Sequence, residues 1–417
     1  MLIVNIKQLC GIQPEGKLRL QGAEMAELPS IENAWLKIEH GKIADFGSMD
    51  NLGHTEMLSL AQGTQSEIVD AQGKLVLPTW CDSHTHLVFA ASREEEFLMK
   101  IQGKTYEEIT AAGGGILNSA RKLANTSESE LYDSAALRLQ EVMSLGTGAI
   151  EIKSGYGLSY EAELKMLRVI RRLKETFPLP VKATFLGAHA FPQEYKQNQE
   201  AYLDMLLNRL LPEIADEGLA DYIDAFCEQN YFSIEQTERV IEAGAKFGLK
   251  AKIHANQFTN LGATQACVRK GTLSVDHLEV TDNAVIESLK GASTMATLLP
   301  SCSLFINIPF ANARGMIDAG LGVALATDFN PGTTPSGNMN LVVALACIKM
   351  KMLPNEAINA ATLNGSYAMD LSTTHGSITK GKQANLIITK AIPSVNFIPY
   401  AFGSNLIDSI LIKGRKI

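Results

Sequence analysis

Asp82-Ser83-His84-Thr85-His86 closes an apolar run, Leu75-Val76-Leu77-Pro78, that reads as a buried strand. Alternate residues of a strand share a face, so His84 and His86 project together from its end. Neutral imidazole is the commonest protein ligand for zinc and related metals. Two unrelated histidines in a polar loop would look the same; the preceding strand and Asp82 favour the metal, and ligands on later strand ends decide the matter. The polar residues at those later ends are Tyr156, His189, Glu228, His254, His277 and Asp328, so that with His84 and His86 five of the chain's eight histidines sit at strand ends. A catalytic zinc-type site takes three or four protein ligands and keeps one position open for water. His84, His86, His254 and Asp328 supply that set, and a bound ion pulls the water pKa from about 15.7 towards about 7. His277 is then free to hydrogen-bond the water or the reacting oxygen, and Asp328 can accept the water proton through its second oxygen. His40, His54 and His375 fall in turn-like segments and read as solvated.

The elements that must hold these side chains change character along the chain. Short strands fill the first 77 residues, with Glu39-His40-Gly41-Lys42 as a hairpin turn. After Pro78, strand-like and helix-like runs alternate. Ser127-x-x-Glu130 and Ser233-x-x-Gln236 are capping boxes that open two of the helices. Counting the run before His84, eight strands are expected; the others lie at 149–152, 181–186, 221–226, 250–254, 273–277, 294–299 and 322–328. This is the pattern of an α/β fold of the (β/α)8 TIM-barrel type, whose catalytic groups sit at the C-terminal strand ends. A doubly wound open sheet is the competitor, but no Gly-x-Gly-x-x-Gly follows the first strand. Short strands return near the C-terminus. The expected division is residues 1–77 as the first part of a small composite β-sandwich, 78–373 as the barrel, and 374–417 as the second part.

Composition narrows the partners. The chain has 417 residues, 46% hydrophobic and 20% charged, enough for a large domain and a smaller one. A net charge of −8 gives no basic face and argues against nucleic acid as a partner, while one local arginine can still hold a small anion. Lys7 interrupts the apolar N-terminus, no signal-peptide pattern is present, and no apolar run reaches the ~20 residues that span a bilayer. Six scattered cysteines without a C-x-x-C pair point to reduced, buried thiols in a cytoplasmic enzyme, not to disulfides or a cysteine-based zinc site.

Pro78 followed by Asp82-Ser83-His84-Thr85-His86, single histidines on later strands and a terminal aspartate resemble the amidohydrolase superfamily. Within it the chain is similar to the imidazolonepropionase family along nearly its whole length. The matching stretches are His84-Thr85-His86-Leu87-Val88-Phe89-Ala90 with Arg93, Gly113-Gly114-Gly115-Ile116, Lys153-Ser154-Gly155-Tyr156-Gly157, Leu186-Gly187-Ala188-His189, Lys252-Ile253-His254-Ala255, Asp276-His277-Leu278-Glu279 and Ala326-Thr327-Asp328-Phe329-Asn330-Pro331-Gly332. The resemblance implies hydrolytic opening of 4-imidazolone-5-propanoate to N-formimidoyl-L-glutamate, with one zinc or iron ion, metal-bound hydroxide as nucleophile, and a homodimer. Asp328 and His277 would be catalytic. Arg93 would take the propanoate, since its planar fork matches a carboxylate; the competing reading is an arginine paired with Glu94, Glu95 or Glu96. Tyr156, His189, Asn330, Gly332 and Thr333 carry over as substrate-binding positions, although a core tyrosine, a core histidine and a Pro/Gly turn are the bland alternatives. Tyr106 is a further candidate for the carboxylate. The glycines at 113–115 lack the Lys-Ser/Thr of a phosphate loop and read as a mobile loop near the site.

Two departures bear on function. Thr79 stands where the superfamily usually has glycine. Gln257 stands where related deaminases have a proton-delivering glutamate; a glutamine can contact a ring amide with both ends but cannot deliver the proton. That weighs against a deaminase of a heterocyclic base. A hydantoinase or dihydroorotase type needs a lysine at the fourth strand end, where the chain has Phe226-Cys227-Glu228-Gln229. A non-catalytic barrel scaffold would be expected to have lost ligands, and none is missing.

Overall fold

The computed structural model describes residues 1–51, 67–104, 108 and 114–417. Eight parallel strands, Trp80–Asp82, Thr147–Lys153, Val181–Ala188, Tyr222–Cys227, Lys250–Ala255, Ser274–His277, Met295–Leu298 and Val323–Leu325, pair in chain order. Helices separate them and cover the outside, so the strands are buried on both faces and read as apolar runs without alternation. Local sequence sets the helix ends. Ser127 Oγ accepts from Glu130 N (3.3 Å) and Glu130 Oε2 accepts from Ser127 N (3.0 Å), opening the helix Glu128–Ser144. Such a cap contributes about 1 kcal/mol. Leu131, Ala135, Leu139, Val142 and Met143 form its buried stripe. The helix stops at Gly146, whose φ of +98° and close neighbour Ile387 (2.8 Å from where a Cβ would lie) leave room for glycine only. Ser233 and Gln236 cap Ile234–Lys246 in the same way.

One element differs from the sequence expectation. Leu75–Pro78 is not the first barrel strand. It pairs with Leu2–Cys10 on one side and Leu386–Thr389 on the other, in the sheet built from the chain termini. The chain changes partners at Thr79, whose N–H donates to Asn385 O (3.1 Å), while Trp80 N donates to Gly146 O (2.9 Å) at the start of the true barrel strand. Both runs are fully buried, and apolar character alone does not say which sheet a strand joins.

The barrel closes in an unusual place. The first and eighth strands share no ladder; the chain segments just beyond them are joined instead. Asp328 N donates to His84 O (3.0 Å) and His86 N to Phe329 O (2.9 Å). Thr327 donates its N–H and hydroxyl to the two oxygens of Asp82 (3.0 and 2.7 Å). His84, His86 and Asp328 therefore sit on the closing seam.

The terminal segments form one mixed eight-stranded sheet, with Leu2–Cys10, Ser30–Glu39 and Lys42–Ser48 at one side and Leu386–Thr389, Ile407–Ile412 and Arg415–Lys416 at the other. The expected hairpin is present, with His40 and Gly41 both at positive φ (+50° and +77°). Ile3, Ile6, Leu36, Ile378 and Leu386 share its core. His375 is buried here, not solvated: Nδ1 lies 2.8 Å from Thr374 Oγ1, and burial lowers its pKa to about 4. His40 is exposed, and His54 lies outside the described residues. All six cysteines are unpaired, and five of them are buried. Among the described residues no helix is long and apolar enough to cross a membrane.

Candidate active site

The strand ends converge on a cavity of about 210 Å³, a size for a small molecule and not a polymer. His86, His254, His277 and Asp328 line it, and His84 lies fully buried immediately behind. His84 Nε2 and His86 Nε2 are each 3.6 Å from Asp328 Oδ1. The His254 ring stands 4.4 Å from that of His84 and 5.3 Å from that of His277. His84 Nδ1 is held by Asp276 Oδ2 at 2.7 Å, which leaves its Nε2 facing the cluster with no hydrogen-bond partner. His254 Nδ1 is 2.9 Å from Asp224 Oδ2, a close approach off the hydrogen-bond direction. Burial holds all three imidazoles well below the usual histidine range, with Lys153 adding to it for His84 and His254, and His254 for His86. Neutral imidazoles, a carboxylate and an unpartnered lone pair converging on one point suit a divalent transition ion. Burial also pushes the Asp328 carboxyl up to about 6, against the opposing pull of His277 and the Thr333 hydroxyl. Thr333 Oγ1 donates to Asp328 Oδ2 (3.1 Å). For His277, burial lowers the pKa, but Glu279, Asp328 and Asp276 together outweigh it, so the net direction is upward. His277 and Asp328 both have positive φ (+90° and +58°), a conformation costing a non-glycine residue about 1–3 kcal/mol.

A guanidinium occupies the same cavity. Arg93 Nε donates to Ser119 Oγ (2.9 Å) and stands 3.9 Å from Glu96 Oε1. Its Nη2 is buried with no partner. The pairing with Glu94–Glu96 weighed from the sequence is thus at most partial, since Glu96 Oε1 also accepts from Gly115 N (2.9 Å). A Cβ at Gly332 would lie 2.5 Å from Arg93 Nη1, so glycine is what allows the arginine its place. The Arg93 guanidinium lies 5.8 Å from the centre of the Tyr156 ring. His189 Nδ1 donates to Gly155 O (2.8 Å), leaving Nε2 as an acceptor, and burial lowers its pKa to about 4. Gln257 Nε2 contacts Cys302 Sγ at 3.4 Å. Asn330 and Thr333 serve the turn as well as the cavity: Asn330 Oδ1 accepts from Gly332 N and Thr333 N (2.8 Å each), and Tyr156 OH approaches it at 3.4 Å.

Apart from His84 and Tyr106, the residues given a ligand, catalytic or substrate role from the sequence all line this cavity. Glu228 does not. Its carboxylate accepts from Phe258 N and Thr259 N (2.8 and 3.2 Å) and shapes the loop after the fifth strand. Tyr106 and Gly113 lie outside the described residues. The sequence reading missed Glu96 and Lys100, which line the cavity with Arg93. The 93, 96, 100 spacing, one face of a helix, was the available signal.

Residues 75–417 match the amidohydrolase family model. The imidazolonepropionase of Christiangramia forsetii is 60% identical over 417 residues, covering all of both chains. That of Thermoanaerobacter pseudethanolicus is 38% identical, over 100% of this chain and 97% of its own. The chain belongs to the imidazolonepropionase branch of the amidohydrolase family. Among solved structures, an adenosine deaminase from Xanthomonas campestris with bound zinc superposes with a TM-score of 0.71 at 15% identity, over 100% of this chain and 92% of the other. A guanine deaminase from C. acetobutylicum gives 0.69 at 14%, over the whole of both chains. At such identity these two share the fold.

In this amidohydrolase a second layer of charge lies inside the barrel, beneath the histidines. Glu151, Lys153, Asp224, Lys252 and Asp276 are all fully buried. Lys153 Nζ reaches Glu151 Oε1 (2.7 Å), Asp224 Oδ2 (2.9 Å) and Asp276 Oδ2 (3.7 Å). Lys252 Nζ reaches Glu151 Oε2 (3.2 Å) and Ser274 Oγ (2.9 Å). Burial alone would lower the Lys153 pKa, but Asp224, Glu151 and Asp276 together drive it upward. Asp276 and Asp224 are the carboxylates that face His84 and His254, so the layer fixes which imidazole nitrogen looks into the cavity. Its sequence signal is charge at alternate strand positions, as in Lys252-x-His254.

Proposed function

We propose that this hydrolase opens the ring of 4-imidazolone-5-propanoate at its cyclic amide C–N bond, giving N-formimidoyl-L-glutamate in histidine degradation. The observation that carries the substrate choice is the buried, unpartnered Arg93 Nη2 in a cavity shared with the histidine–aspartate cluster. An arginine fork without a partner selects a carboxylate. His84, His86, His254 and Asp328 would hold one zinc or iron ion, which when bound supplies Lewis-acid polarisation of the carbonyl and activation of water. Arg93 binds the propanoate and orients the ring, Tyr156 and His189 flank it, and Asn330, Gly332 and Thr333 form the adjoining wall. Gln257 meets the ring amide. His277, oriented by Glu279 (Nδ1–Oε1 3.3 Å), donates a hydrogen bond to the ring oxygen as negative charge develops. Asp328 takes a proton from the attacking water and returns it to the ring nitrogen as the C–N bond breaks. Water is consumed and both of its protons end on product. The six free cysteines support a reducing, cytoplasmic site of action.

The deciding experiment supplies 4-imidazolone-5-propanoate to metal-loaded protein and follows loss of its ultraviolet band. Rapid loss is expected. No turnover would remove the substrate assignment and leave only the family.

A further inference from the structure

A second set of donors meets beside the histidine–aspartate cluster, and its chemistry is softer. His277, Glu279 and Cys302 each offer one atom, and these three atoms lie within 4.8 Å of one another. They come from neighbouring strand ends: His277 closes Ser274–His277, and Cys302 lies in the helix Pro300–Ile306 that follows Met295–Leu298. His277 Nδ1 stands 3.3 Å from Glu279 Oε1. Glu279 Oε2 is buried with no hydrogen-bond partner, on a side chain only 1% exposed. The Cys302 thiol is fully buried among Asp328, Thr333 and Gln257. An unpartnered buried carboxylate oxygen costs about 1–3 kcal/mol or more, and a cation removes that cost. Imidazole, carboxylate and thiolate together suit zinc or cadmium, with water as a fourth ligand.

We propose that His277, Glu279 and Cys302 form a second metal site, filled by excess zinc or cadmium, whose occupation inhibits the enzyme. Binding displaces the thiol proton to solvent, so two anionic donors face the ion. That charge offsets repulsion from a cation held by the first cluster but does not abolish it, so the second ion binds more weakly than the first. Occupation breaks the His277 Nδ1–Glu279 contact that orients His277 towards the ring oxygen, which is why turnover slows.

Cadmium added to protein already loaded with one zinc tests this. Binding is followed by equilibrium dialysis and by the ultraviolet thiolate-to-cadmium charge-transfer band, which the first cluster cannot produce because it holds no sulfur. Among the described residues no other cysteine belongs to such a donor group. The unaltered chain is expected to take up one further equivalent with growth of the band. Cys302→Ser should abolish the band and weaken the extra binding by at least about tenfold, and Glu279→Gln should weaken binding while the thiol remains. No band, or a band that survives Cys302→Ser, overturns the site. The inhibitory role rests on the proposed reaction: cadmium should slow ring opening by the unaltered chain and not by Cys302→Ser, and equal inhibition of both overturns it. If neither protein opens the ring, the reaction assignment fails, while the band still decides the site.

Discussion

At the mouth of the barrel, His84 Nε2, His86 Nδ1 and Arg93 Nη2 are buried without hydrogen-bond partners. Inside the barrel beneath them, Lys153 and Lys252 are buried just as completely, yet each touches opposite charge. Burial is therefore not what separates a binding group from a structural one. The deep layer has spent its charge on itself, and what it gains is fixed orientation. The upper layer keeps its polar atoms open, at a cost of about 1–3 kcal/mol for each unsatisfied group, and a ligand recovers that cost. The contrast assigns function by unspent hydrogen-bonding capacity.

Substitutions can break or sharpen that contrast. The largest effect is expected at the upper layer, where Asp328→Ala should lower turnover by roughly 10²–10⁴-fold and deplete bound metal. Steady-state ring opening and metal analysis check it, and normal metal content would remove Asp328 from the ligand set. Next is Lys153→Met in the deep layer, which leaves Asp224 without a lysine partner and Glu151 with Lys252 alone, and should cost about 3–5 kcal/mol of stability. Urea unfolding reads this, and a loss of metal without a loss of stability would erase the distinction between the layers. Arg93→Ala should raise KM by roughly tenfold to a hundredfold, as expected for a hydrogen bond to a charged group worth about 1.5–3 kcal/mol, with unfolding little changed. An unchanged KM would end the carboxylate role. The smallest effect belongs to charge that is neither buried nor open to a ligand. Arg239→Ala, which breaks the exposed contact to Glu200 at 2.6 Å, should alter stability by no more than about 0.5 kcal/mol.

Much of this was legible in the chain itself. Seven of the eight barrel strands announce themselves as apolar runs because helices cover them, and Ser127 and Ser233 mark helix starts because their hydroxyls have a local partner three residues on. What stayed hidden depends on tertiary neighbours. Leu75–Pro78 and Trp80–Asp82 are alike in burial, and only the partners of Thr79 and Trp80 divide them between two sheets. Lys153 reads as a polar strand end, whereas its three carboxylates come from its own strand and two others. His375 sits in a turn-like stretch whose burial comes from packing far away in sequence. Asn330 resembles a ligand contact, yet its amide oxygen is already shared with the backbone of its own turn.

The seam between Asp82 and Thr327 has a consequence for how the molecule comes into being. The segments that close the barrel are 245 residues apart, so they meet late, after the intervening strands have been laid down, and long loops of this kind are slow to form. A chain still emerging from the ribosome, without Val323–Leu325 and Asp328, can fold helices and early strands but cannot assemble the proposed ligand set. Acquisition of the ion would thus wait for completion of the barrel, and once there the ion would rivet the first strand to the last.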